Sequence, residues 1–247
     1  MYAKTIPALA AALALLAGCG SDEKGSTEPA AAGLPQAGEP VDLKPADLTT
    51  EIDNPYWPMR PGSRWVSRET DPEGNAQRVV VTVTDRTKKV ASGATARVVH
   101  DVVSEGGRPV EVTDDYYAQD RAGNVWYLGE ATKEYEHGKV KTTAGSWEWG
   151  VKGAQPGVIV PAVPEPGLQY RQEYLAGEAE DRARVLSVDE QVEVPVGHFD
   201  GAMLTKEYTP VEPKALEYKL YAKGVGPVRV YGVSGGGGDE ELLAFRK

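Results

Sequence analysis

From Asn54 onward the chain alternates apolar and polar positions with a period of two. The stretches RVVVTVTD (78–85) and QVEVPVGHF (191–199) alternate most cleanly, and ARVVHDVV (96–103) and LEYKLYAK (216–223) do so less strictly. A period of two belongs to strands that bury one face. Turn-forming clusters separate these runs: DPEGN (71–75), EGGR (105–108), DRAGN (120–124), EHGK (136–139) and GGGGD (235–239). No stretch shows a helical period with caps at both ends. The pattern predicts an all-β fold, an antiparallel meander of about ten or eleven strands.

The chain also resembles itself near an offset of about 104 residues. Pro61-Gly62-Ser63-Arg64-Trp65 pairs with Pro166-Gly167-Leu168-Gln169-Tyr170, and VTVTD ending at Asp85 pairs with VLSVD ending at Asp189. Gly93 pairs with Gly197, and YAQDRAGNVWY (117–127) pairs with YAKGVGPVRVY (221–231). This predicts two tandem β repeats, about 61–130 and 166–234, bridged by 131–160 and forming a sandwich or an open barrel.

The N-terminus has a different pattern. Lys4 precedes an unbroken apolar run, Ile6–Ala17, and Cys19 is the only cysteine of 247 residues. The run fits the apolar part of an export signal and falls short of the roughly 20 residues that cross a bilayer. Residues 16–19, Leu-Ala-Gly-Cys, resemble a lipobox, the processing signal of bacterial lipoproteins. The resemblance implies a signal peptide at 1–18 and a thioether-linked diacylglyceryl group, with further acylation such as palmitate, on Cys19. A lone cysteine excludes a disulfide framework and thiolate metal clusters. Residues 20–53 are rich in Gly, Pro, Ala and acidic side chains and lack periodicity. They are expected to form a disordered tether, leaving 54–247 as the β domain.

Charge narrows the partners. The formal net charge is −10, and one unit more negative without Lys4. Such a chain repels nucleic acid and anionic headgroups, so acyl chains on Cys19 are expected to hold it at the membrane. That membrane is the cell membrane or, in a diderm organism, the outer membrane.

Candidate chemistry is sparse. DRAGNVW (120–126) loosely matches an Asp-box, D-x-x-G-x-x-W, and also reads as a hairpin turn. GSWEWG (145–150) places Trp147 and Trp149 on one face of a strand, where two indoles could stack on a ligand or fill the core. GEAEDR (177–182) gathers Glu178, Glu180 and Asp181, a density of oxygen donors suited to Ca²⁺ as well as to a solvated turn. His100, His137 and His198 lack metal-ligand spacing, and no nucleophile elbow, zincin motif, P-loop or Rossmann glycine set is present.

The strings NPYWPMRPGSRWV, DDYYAQDRAGNVWYLGE, GAQPGVIVPAVPEPGLQYRQEYLAGEAEDR and YAKGVG resemble a family of uncharacterised secreted bacterial proteins, which implies no activity and no catalytic residues. The sequence supports three readings. The first is a lipid-anchored envelope binding protein for an apolar, glycan or cation-linked ligand. The second is a structural envelope lipoprotein without a small ligand. The third is a carboxylate hydrolase using Asp114, Asp115, Glu178 and Asp181.

Overall fold

A computed structural model describes residues 33–70, 74–235 and 238–247. The proposed signal peptide, Cys19 and the tether as far as residue 32 lie outside the described residues. The described residues fall in one unit, Ala31–Lys247, which contains every strand and the whole core given below. Among them are sixteen strands and no α-helix. A short pair with the fifth strand begins the series, β1 (Leu48–Thr49). The first meander is β2 (Arg64–Thr70), β3 (Ala76–Lys89), β4 (Thr95–Glu105), β5 (Arg108–Asp120) and β6 (Val125–Glu136). Three shorter strands follow and all pair with β6: β7 (Lys139–Thr142), β8 (Trp147–Glu148) and β9 (Gln155–Val160). Next come β10 (Gln169–Arg171) and β11 (Glu173–Tyr174). The second meander is β12 (Arg182–Val194), β13 (Gly197–Tyr208), β14 (Leu216–Ala222), β15 (Gly226–Ser234) and β16 (Asp239–Arg246). The count exceeds the expected ten or eleven because five of the strands have only two to four residues, too few to show a period.

All pairs are antiparallel, and the order is β10-β12-β13-β14-β15-β16-β2-β3-β4-β5-β6-β9-β11. The two ends of this order are neighbours in the chain. Gln169–Arg171 pairs with β12 and Glu173–Tyr174 with β9. One bent segment, 169–174, thus draws the sheet nearly closed into a barrel. A Cβ at Gly157 of β9 would collide with the Gln172 backbone, so glycine permits the close approach at this seam. The segment 131–160, expected to bridge two repeats, is part of the wall through β6 to β9.

The turns follow the sequence signals. Gly106-Gly107 and His137-Gly138 all take positive φ in two-residue hairpin loops, as a type I′ turn requires. In the DRAGN turn, Asp120 Oδ1 accepts the Ala122 and Asn124 N–H groups, and Trp126 Nε1 donates to Asp120 Oδ2 at 2.8 Å. This Asp and Trp therefore build the hairpin itself.

The halves repeat each other in detail. Ser63 N donates to Arg60 O and Leu168 N to Glu165 O, closing equivalent Pro-Gly turns. Gly62 N donates to Val83 O, and Gly167 N to Val185 O; Val83 N returns to Ser63 O, and Val185 N to Leu168 O. These bonds equate Val83 with Val185, so the pairing of Asp85 with Asp189 is two residues out of register. Trp57 contacts the equivalent tyrosines of both halves, Tyr117 at 5.6 Å and Tyr221 at 6.2 Å between ring centroids.

Residues 33–53, expected within a disordered tether, instead dock on the barrel. Leu34, Val41, Leu43 and Leu48 pack against the core, and Ile52 is 2% exposed within it. Arg171, 1% exposed, holds the segment in place. Its Nη1 donates to the carbonyls of Ala37 and Glu39, its Nε and Nη2 to Pro156 O, and its backbone N–H to Pro35 O. Few apolar residues suffice here because a buried guanidinium needs carbonyl partners and this segment supplies them. Deleting 34–40 would remove the two Nη1 acceptors, the Pro35 carbonyl bond and the Leu34 contact with the core, and should cost about 3 kcal/mol. A urea melt of the deletion variant that matches the parent would show that the docking contributes nothing.

Candidate functional site

Strand alternation decides which side chains enter the barrel. In the first half, three cross-strand rows turn inward: Val79–Val103–Glu111–Glu134, Val81–Asp101–Thr113–Thr132 and Val83–Val99–Asp115–Glu130. In the second half the inward rows include Ala183–Glu207–Glu217 and Thr205–Lys219–Val230–Glu240. One end of the interior is filled by apolar and aromatic groups such as Val83, Val99, Tyr117, Met203 and Tyr221, all in one buried cluster. The other end is lined by carboxyl groups from both halves.

The first carboxyl group centres on Tyr127. Its hydroxyl lies 2.7 Å from Asp115 Oδ1 and 3.0 Å from Glu130 Oε2. A phenol has one hydrogen to donate. Both contacts become hydrogen bonds only when one carboxyl brings a proton of its own. The electrostatics agree. Burial, reinforced by Glu130, pushes Asp115 well above the usual carboxyl range. Burial also raises Glu130 to about 7, against the hydrogen bonds from Tyr127 and Thr132. Trp147 Nε1 donates to Glu173 Oε2 at 2.7 Å, and Glu173 is pushed well up by burial together with Asp181 and Glu130. Asp101 is raised to about 7 by burial and by Glu240, Glu111 and Glu69. Its Oδ1 is buried and has no hydrogen-bond partner.

The second group is built around an ion pair. Lys219 Nζ donates to Glu207 Oε2 at 2.8 Å, while Thr205 Oγ1 and Tyr221 OH donate to Glu207 Oε1 at 2.8 and 3.2 Å. Burial alone would raise Glu207, but the Lys219 charge and these hydrogen bonds outweigh it and hold the carboxylate ionised. The Tyr170 hydroxyl, on a residue 1% exposed, has no partner and feels Tyr221, Glu207 and Lys219. An open cavity of about 330 Å³ lies over this group, lined among others by Glu178, Asp181, Glu207, Glu212, Glu217 and Lys219.

The residues singled out in the sequence are distributed differently from one another. Trp147 and Trp149 are 4% and 9% exposed, so neither offers a stacking face to solvent. Trp147 lies edge-on to Tyr127. Glu178 and Asp181 line the cavity. Glu180 instead closes its own loop, accepting from Gly177 N at 2.9 Å and lying 3.8 Å from Arg182. Among the described residues no three His, Cys, Asp or Glu side chains are disposed to hold a metal ion. Asp114 and Asp115 face opposite sides of β5. Asp114 lies on the outside, paired with Arg86 at 2.9 Å and His100 at 2.7 Å, so the two do not form one acid–base pair.

Asp101, Glu130, Glu173, Glu207 and Lys219 were not singled out from the sequence. The available signal was positional: each stands at an inward register position of a strand, where an apolar residue is the norm.

No family model matches the chain, and no curated protein matches it. Among solved structures it is similar to a candidate lipoprotein from Parabacteroides distasonis, with 14% identity, a TM-score of 0.41, and coverage of 77% of this chain and 98% of that one.

Proposed function

We propose that this protein is an exported, lipid-anchored binding protein of the cell envelope whose barrel mouth takes a cationic ligand. One observation carries the reading. The mouth cavity gathers Glu178, Asp181, Glu207, Glu212 and Glu217 around a single cation, Lys219, which Glu207 already neutralises. The buried, unpartnered Tyr170 hydroxyl beside Glu207 adds a polar group with nothing to bond. Two or more positive charges on a flexible organic chain suit this lining, because hydrogen bonds to separate carboxylates replace the coordination geometry a metal requires. The anchor rests on Leu16–Cys19 and the export segment before it. Buried acyl chains contribute about 0.8 kcal/mol per CH₂, enough to hold an acidic protein at a membrane.

Thermal melts test the ligand. Spermidine should raise the melting temperature above that in NaCl of matched ionic strength, by the equivalent of about 2.7 kcal/mol at a hundredfold excess over Kd. Glu212→Gln with Glu217→Gln should abolish the difference. Ca²⁺ and Mg²⁺ provide the metal arms: a larger rise in either would transfer the site to a metal. Equal melts in all four would leave the structural reading, which the filled apolar end of the barrel favours. The anchor is tested apart: Cys19→Ser should end incorporation of labelled fatty acid and release the protein from membranes.

A further inference from the structure

The outer face of β12 to β15 reverses the charge of the interior. Register places Arg184, Lys206, Tyr218 and Tyr231 side by side in one row across four strands. These alternate with the inward Ala183, Glu207, Glu217, Lys219 and Val230, so the row points outward. Beside it an open groove of about 440 Å³ is lined among others by Lys206, Tyr208, Lys214 and Leu216. Nearby, Glu241 is engaged with Arg68 and Arg229, and Glu180 lies by Arg182; the exposed Asp189 and Glu193 of β12 and the mouth carboxyls Glu178 and Glu212 lie outside this row. Among the described residues Arg184, Lys206 and Lys214 have no ion-pair partner. In a chain of net charge −10, this row and groove bring three unpaired cations together, interleaved with tyrosines.

We propose that this face docks on an anionic phospholipid surface. The proposal rests on the anchored reading above and adds which wall of the barrel meets the lipid. Three observations select a membrane as the occupant. The charge is complementary to phosphate headgroups, although the protein as a whole is acidic. Tyrosines, apolar in body and polar at the tip, suit the headgroup boundary. The chain also reaches the barrel at this wall: Arg171 N donates to Pro35 O and Gln36 Nε2 to Gln169 O on β10, the strand paired with β12. Only residues 20–34 separate Cys19 from Pro35, a span of at most about 58 Å even when fully extended. A lipid on Cys19 therefore tethers the barrel from this side and leaves the face to choose its orientation by its own contacts. The expectation that electrostatics oppose the membrane holds for the net charge and not for this face.

The Ala31–Lys247 unit, which has no Cys19, isolates the surface from the anchor. At low salt it should sediment with vesicles of phosphatidylglycerol and phosphatidylcholine in equal parts, and not with phosphatidylcholine alone. Arg184→Glu, Lys206→Glu and Lys214→Glu together should lower the partition coefficient at least roughly twentyfold while leaving the thermal melt unchanged. Salt should have the same effect on the parent. No sedimentation of the parent, equal sedimentation of parent and variant, or equal binding to neutral vesicles would overturn the proposal. So would charge-dependent binding to dextran sulfate without binding to vesicles, which would assign the face to a soluble polyanion. If the unit binds vesicles but Cys19 takes up no fatty acid, the surface stands and the anchor falls.

Discussion

Lys219→Met should lower stability by about 3 kcal/mol at pH 7, among the largest losses available to a single substitution in the wall. The lysine side chain is 24% exposed and its partner Glu207 10%. Removing the ammonium leaves a carboxylate that is mostly withdrawn from water. Thr205 and Tyr221 still donate to it, but neither neutralises its charge. Methionine keeps most of the side-chain volume, so the loss reports charge more than packing. Adding Glu207→Gln should recover most of the stability, because the amide needs no counter-charge and still accepts the hydroxyls. Urea melts of the parent, both single variants and the double variant form a complete cycle. A loss below about 1 kcal/mol for Lys219→Met, or no recovery in the double variant, would mean that solvent already screens the pair.

Stability should also fall as pH rises from 5 to 8, the reverse of what an acidic protein stabilised by ion pairs would show. Asp101 and Glu130 are raised to about 7, and Asp115 and Glu173 well above their ordinary values. Between about pH 4, where these groups ionise in the unfolded chain, and pH 7, the folded state binds more protons than the unfolded state. Unfolding free energy therefore decreases with pH across that window. For Asp101 alone a change from 3.8 to about 7 corresponds to about 4 kcal/mol. Glu207 and Asp114 act in the opposite sense, since both are held below their ordinary values. Their contribution is present above about pH 4 and is lost below it. The maximum should thus lie near pH 4 to 5. From pH 5 to 8 the melting temperature should drop by roughly 10 °C or more. Asp115→Asn with Glu130→Gln should flatten the decline and melt higher than the parent at pH 8. A parent curve that is flat or rising across this range would show that the carboxyls ionise freely in the folded state.

These carboxyl groups also show where the sequence stopped being legible. Alternation in RVVVTVTD located β3, and Pro-Gly turns located the start of each half with the same hydrogen bonds. Both depend on a few adjacent residues, so a linear reading recovers them. The inward carboxyls depend on which face of a strand is enclosed. Asp114 and Asp115 read as one acidic pair, yet the pleat sends one to Arg86 and the other to Tyr127. Nothing adjacent in the sequence marks Glu130 or Glu173, because enclosure by other strands is what sets their surroundings. Residues 33–53 misled for a related reason. Composition predicts whether a segment can bury enough of its own surface, and here a guanidinium more than 130 residues away supplies the contacts. The sheet's closure was hidden in a segment too short for any period, 169–174.

The position of β16 bears on how the fold forms. Each meander is assembled from hairpins whose partners are close in sequence, and such pairs zip quickly. The strand Asp239–Arg246 lies between β15 and β2, and its Glu241 meets Arg68 across 173 residues of chain. The two halves can therefore acquire their local structure independently, but the seam between them waits for nearly all of the chain to be available. That ordering makes closure the last step of folding: until residues 239–246 are in place, β15 and β2 each keep an edge with unpaired backbone groups, the kind of edge that invites pairing with another chain.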